Sequence, residues 1–172
     1  PGGAAAIRQP WRMALSYLVQ GFGNQLGRRD LPLLERLRRQ EVELVLQMIA
    51  RGVNSPLTSS CGRLFDGVAA LLGVRDEVNY EAQAAIELEM LARGSQDDGE
   101  YRFAVTPEDS GWIIDPLPMF QDLLRDQRRS VPAATLARRF HLGLAQVLAE
   151  IAGRVRARTG LNRVCLSGGT FH

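Results

Sequence analysis

The chain has 172 residues, 45% of them hydrophobic and 23% charged, with a formal net charge of +2. That is the composition of a soluble globular domain with a hydrophobic core, and too weakly charged for a dedicated nucleic-acid binder. All 21 basic residues are arginine, which excludes a lysine-dependent phosphate loop, a Schiff-base lysine and a catalytic lysine from this segment.

The two cysteines, Cys61 and Cys165, lie far apart in apolar or small surroundings. They read as buried free thiols of a reducing cytoplasm. His141 and His172 share no metal-ligand spacing with each other or with the cysteines. No apolar run has membrane-spanning length, and PGGAAAIRQPWRM carries no signal-peptide pattern. A start at Pro1 suggests a piece cut from a longer chain.

In chain order, Ile7, Trp11, Leu15, Leu18, Val19 and Phe22 recur at helical spacing, predicting one amphipathic helix over 7–22 with Pro10 in its first turn. Further helices are expected over 31–38 and 41–51, the latter closed by Gly52. Asn54-Ser55-Pro56 is turn chemistry, and Thr58, Ser59 and Ser60 offer capping hydroxyls to a buried helix over 63–72. Another helix covers about 80–93. YRFAV and WIID, joined by TPEDSG, predict a hairpin at about 101–115. Helices follow over 119–128 and 132–159, the long one striped by Leu136, Phe140, Leu144, Val147, Leu148, Ile151 and Val155. RVCLS then reads as a strand at about 163–167, running into Gly168-Gly169. The chain is thus mainly α with a small β component.

A strand that meets a Gly-Gly turn can aim backbone N–H groups at a phosphate, although most such turns are only turns. Asp66, in FDGVAALL, is by default a carboxylate on a helix's solvent face. The adjacent Gly67 costs about 1 kcal/mol relative to alanine within a helix, and such a glycine often permits the close approach of another group. Glu81, Glu87 and Glu89 fit the polar side of a helix, and Glu81 sits in a dipole-favoured first turn. The pairs Arg28-Arg29, Arg38-Arg39, Arg128-Arg129 and Arg138-Arg139 are scattered among acids, as on solvated helix faces. SVPAATLARRFHLGLAQVLAEI looks superficially like helix-turn-helix sequence but lacks a compact recognition helix. A non-catalytic helical interaction or DNA-binding module is the alternative to an enzyme reading.

Four stretches, PGGAAAIRQPWRMAL, GVNSPLTSSCGRLFDGVAALLGV, NYEAQAAIELE and LNRVCLSGGTFH, resemble in order and spacing the C-terminal carbamoyltransferase region of the HypF family. The resemblance spans essentially the whole chain and makes 1–172 a single segment of that domain. It implies part of an actin/Hsp70-type ATPase fold, in a cytoplasmic protein that uses carbamoyl phosphate and ATP. Such a protein transfers a carbamoyl group to the C-terminal cysteine of a HypE-type partner, in making the cyanide ligands of [NiFe]-hydrogenase; neither nucleic acid nor membrane takes part. The resemblance marks Asp66, Glu81 or Glu87, Gly168 and Gly169 as nucleotide-binding candidates. The family usually has glycine after Tyr-Glu, where this chain has Ala82. The metal-binding histidines would precede Pro1, and the metal-binding aspartate would follow His172. The segment alone is therefore expected to show no turnover and weak or absent ATP binding.

Overall fold

The computed structural model describes residues 1–23, 31–109 and 111–168. The chain divides into two compact units, Pro1–Met90 and Leu91–His172. The observed elements are α1 (Ala4–Arg8), α2 (Trp11–Phe22), α3 (Pro32–Arg36), α4 (Arg39–Arg51), α5 (Cys61–Leu71), α6 (Gln83–Ala92), β1 (Ala104–Glu108), β2 (Gly111–Asp115), α7 (Leu117–Arg128) and α8 (Ala133–Thr159).

The single helix expected over 7–22 is two helices. Proline disfavours helical backbone in the residue before it, and Gln9 is accordingly non-helical at φ −125° and ψ 78°. Pro10 then enters α2, whose buried face carries Trp11, Met13, Ala14, Leu15 and Leu18.

That face packs on α5, of which Leu64 through Leu71 are all buried. Each fully buried Leu or Phe contributes about 1.5–3 kcal/mol, so the pair forms the heart of the first unit. Ser60 is the N-cap of α5 but makes no side-chain capping bond. The Thr58 hydroxyl instead accepts from the Ser60 N–H at 3.1 Å. At the other end, Gly73 (φ +74°) takes the left-handed C′ position and its N–H reaches the Ala70 carbonyl at 3.1 Å. Arg36 of α3 donates to that same carbonyl at 2.6 Å and forks onto Asp76 with two bonds of 3.0 Å. The α5 terminus is thereby tied to α3.

In the second unit, Met119, Phe120, Leu123 and Leu124 of α7 form a core with Leu136, Ala137, Phe140, Leu144 and Val147 of α8. The predicted stripe on α8 is fully buried only as far as Val147; Leu148, Ile151 and Val155 are half-buried. The hairpin forms as expected, with β1 antiparallel to β2 and Val105 opposite Ile114. Arg158 of α8 stacks on the Trp112 ring, 4.7 Å from its centroid.

The strand expected at about 163–167 is absent. Residues 160–167 have no regular structure, and Leu161, Val164 and Leu166 are 64–70% exposed. A strand needs a ladder partner, and the sheet among the described residues consists of β1 and β2 alone. Cys165, expected to be buried, is exposed on this segment, while Cys61 is half-buried; both are free thiols.

Candidate functional site

Asp66 is not on a solvent face. It lies at the centre of α5 with 4% relative exposure, the most buried polar side chain among the described residues. The next residue, Gly67, faces the ring of Tyr17 on α2. A Cβ at Gly67 would stand 2.9 Å from Tyr17 Cδ2 and 3.1 Å from Cε2. The close approach that the glycine suggested in sequence is thus made by a protein ring.

One helical turn before Asp66, Arg63 brings Nη1 to 2.8 Å from Asp66 Oδ2. The contact is a charge pair rather than a directed hydrogen bond: both atoms are fully buried, and neither has a partner in hydrogen-bond geometry. Burial pushes the Asp66 carboxyl from 3.8 up to about 6, against the opposing pull of the Arg63 guanidinium. The Tyr17 hydroxyl is driven up to about 12, first by burial, then by Cys61 and Asp66, with Arg63 opposing. A carboxylate, a guanidinium, a phenol and the thiol of Cys61 therefore share one site between α2 and α5. Among the described residues, Asp66 Oδ1 accepts no hydrogen bond. The cluster can hold a carboxylate whose charge changes near neutral pH, and it keeps an oxygen able to accept a bond.

Of the candidates, only Asp66 occupies such a place. Glu87 is pinned on α6, where Arg75 Nε lies 2.6 Å from its Oε2 and Gln83 Nε2 donates to its Oε1 at 3.0 Å. Those bonds, led by that from Arg75, hold the Glu87 carboxyl below the usual carboxylate range. Glu81 is exposed in the turn preceding α6, not in the helix's first turn. The next residue, Ala82, takes φ +62°, the left-handed region that glycine enters without strain. No ion pair or hydrogen bond among the described residues joins Asp66 to either glutamate. Gly168 has φ +85° with nothing within 4 Å of a Cβ added there, whereas Gly169 lies outside the described residues. Sequence reading passed over Tyr17, Cys61 and Arg63. The available signal for Arg63 was its i, i+3 spacing to Asp66, which places the two side chains together on a helix.

The second unit has its own polar centre. Arg139 grips Asp97 through Nε–Oδ1 at 2.7 Å and Nη2–Oδ2 at 2.9 Å, and its Nη1 reaches Asp126 Oδ2 at 2.9 Å. The Tyr101 hydroxyl donates to the same Asp126 oxygen at 3.1 Å, and Arg138 Nε donates to the Asp97 carbonyl at 2.6 Å. Arg139 above all, with the Gly99 N–H, holds the Asp97 carboxyl below its ordinary range. Arg39 is likewise paired, with Glu43 at 2.8 Å. The Arg28-Arg29 pair lies outside the described residues. This internal use of arginine opposes a phosphate-tracking surface. Among the described residues no three His, Cys, Asp or Glu side chains gather as a metal ion would need. None of the described helices is long and apolar enough to cross a membrane.

A mainly helical segment like this one recurs as one portion of larger carbamoyltransferases, as its likenesses show. Residues 1–172 match the family model described as the carbamoyltransferase Kae1-like domain, second subdomain. The chain is 36% identical to a carbamoyltransferase HypF homolog of Cupriavidus necator, covering 99% of this chain and 44% of that protein. With the carbamoyltransferase HypF of Rhodobacter capsulatus the identity is 37%, covering 99% and 21%. A crystal structure of full-length HypF in a phosphate- and nucleotide-bound form superposes with a TM-score of 0.88 at 34% identity, over 99% of this chain and 26% of that one. The chain belongs to the HypF carbamoyltransferase family, and it spans less than half the length of these relatives.

Proposed function

We propose that this chain is part of a hydrogenase-maturation carbamoyltransferase and forms one wall of its nucleotide cleft, within an actin/Hsp70-type ATPase fold. The whole protein would take carbamoyl phosphate and ATP and work in the cytoplasm. Carbamoyl-adenylate would be attacked by the C-terminal cysteine thiolate of a HypE-type partner, forming the C–S bond and releasing AMP. ATP supplies the adenylate leaving group; the chain's own residues bind and orient it. The reading rests on the family match across residues 1–172, and the buried Asp66 supports it. A carboxylate oxygen without a protein partner suits a ribose hydroxyl, which is a donor of the right polarity. Glu81, Gly168 and Gly169 are further candidate contacts; Glu87 is a weaker one, because Arg75 and Gln83 already occupy both of its oxygens. The metal ion of the whole enzyme would take its ligands from segments outside this chain.

The test is carbamoylation of a HypE-type protein by the full-length protein, read as a mass increase on the C-terminal cysteine. Asp66→Asn is expected to raise the ATP requirement at least tenfold while leaving the protein folded, the loss of a charged hydrogen bond being worth about 1.5–3 kcal/mol. An unchanged ATP dependence would remove Asp66 from the site. No mass increase with the wild-type protein would defeat the whole assignment. Calorimetry on residues 1–172 alone is expected to show no tight ATP binding.

A further inference from the structure

We propose that Arg63 is a positioning residue for the nucleotide site: its guanidinium takes one oxygen of the buried Asp66 carboxylate and leaves Oδ1 to accept a hydrogen bond from a ligand hydroxyl. The inference rests on the reading of Asp66 given above.

Three observations carry it. Arg63 Nη1 and Asp66 Oδ2 are in contact at 2.8 Å, and both atoms are sealed from solvent. Neither atom completes a directed hydrogen bond, so the pair is held by charge and packing alone. Finally, Gly67 lets the Tyr17 ring close on α5 next to the carboxylate, a Cβ at Gly67 standing 2.9 Å from Tyr17 Cδ2, which fixes the α2–α5 contact beside the pair. Without a cation, an aspartate this buried would take up a proton at neutral pH. A protonated carboxyl can still hydrogen-bond a hydroxyl, but it loses the charge-assisted bond that a ribose hydroxyl donates most strongly. The titratable and charged groups facing Asp66 are Arg63 on α5 and Tyr17 on α2, with Cys61 of α5 beside Tyr17. Arg36 of α3 donates to the Ala70 carbonyl, one turn further along α5.

The experiment is calorimetric titration of the full-length protein with a non-hydrolysable ATP analogue between pH 5.5 and 8.5. In the wild type, affinity falls as pH drops through about 6. Arg63→Met weakens binding about tenfold at pH 7, the scale of one charge-assisted hydrogen bond, and recovers affinity toward pH 8.5 as Asp66 ionises. Arg63→Lys, which keeps the charge, stays near wild type and guards against a folding defect. Asp66→Asn is weak at every pH, with a flat profile. Wild-type affinity and pH profile in Arg63→Met, with Asp66→Asn impaired, would overturn the role of Arg63 while leaving Asp66 in the site. A pH-independent loss in Arg63→Met would also overturn it, since that marks a merely structural residue. Wild-type binding by Asp66→Asn would instead defeat the underlying reading of the site.

Discussion

The ring of Tyr17 packs so closely on Gly67 that a single methyl on Gly67 would sit 2.9 Å from ring carbon Cδ2. Helix propensity alone favours alanine here by about 1 kcal/mol. Overpacking a filled core costs about 1–3 kcal/mol, and the added Cβ would also stand 3.6 Å from the Ala14 backbone nitrogen of α2. Gly67→Ala is expected to lower unfolding stability by about 1 kcal/mol net, read by urea denaturation. Combining it with Tyr17→Leu should give a loss smaller than the sum of the two single losses, because the clash is shared. Strict additivity would show that the two residues do not press on each other.

The Asp66 carboxyl predicts a pH dependence of stability. Its folded value of about 6 lies above the ordinary 3.8, so the folded state binds the proton more tightly than the unfolded chain. Stability therefore rises as pH falls from about 7 to about 4, by up to about 3 kcal/mol from this group. Acid-labile pairs such as Arg139–Asp97 oppose the trend at the lower end. Asp66→Asn removes the rise, and comparing denaturation curves of wild type and variant at pH 7 and 5 isolates it. An identical pH slope in the variant would contradict the burial of a charged Asp66.

Two glycines of α8 should respond oppositely to alanine. A Cβ at Gly143 would collide with the Tyr101 carbonyl oxygen and stand 2.9 Å from its carbon and 3.0 Å from the Tyr101 nitrogen. That close approach is fixed by the Tyr101 N–H, which donates to the Arg139 carbonyl at 3.1 Å. Nothing lies within 4 Å of a Cβ at Gly153. Gly143→Ala is expected to cost about 3 kcal/mol or more by displacing backbone. Gly153→Ala should stabilise by about 1 kcal/mol through helix propensity. Thermal melts of the two variants make the comparison on one helix.

Ala82 holds φ +62°, a conformation that costs a non-glycine residue about 1–2 kcal/mol. Ala82→Gly relieves that strain and gives back about 0.4–1 kcal/mol in unfolded-chain entropy. A net gain of a few tenths to about 1 kcal/mol is expected in chemical unfolding. A loss would mean that the turn before α6 is not left-handed in solution.

Much of the helical layout was legible in sequence, because α2, α5, α7 and α8 carry apolar residues at three- and four-residue spacing and a glycine closes α2, α5 and α8. The break at Gln9-Pro10 was legible too, through the constraint that proline places on the residue before it, but the unbroken apolar spacing obscured it. The RVCLS segment shows the limit of pattern. Its apolar run has strand composition, yet a strand exists only where a second chain segment offers hydrogen bonds, and β1 and β2 pair with each other.

By itself the sequence determined the helical periodicity, the turn chemistry and the family motif around Asp66, since these depend on neighbours along the chain. Only the tertiary structure decided that Asp66 faces inward, that Tyr17 rather than a ligand fills the space beside Gly67, and that Glu87 belongs to Arg75. Those outcomes depend on which helix faces meet. Burial then sets whether a carboxylate is a solvated surface charge or, like Asp66, a buried one held against an arginine.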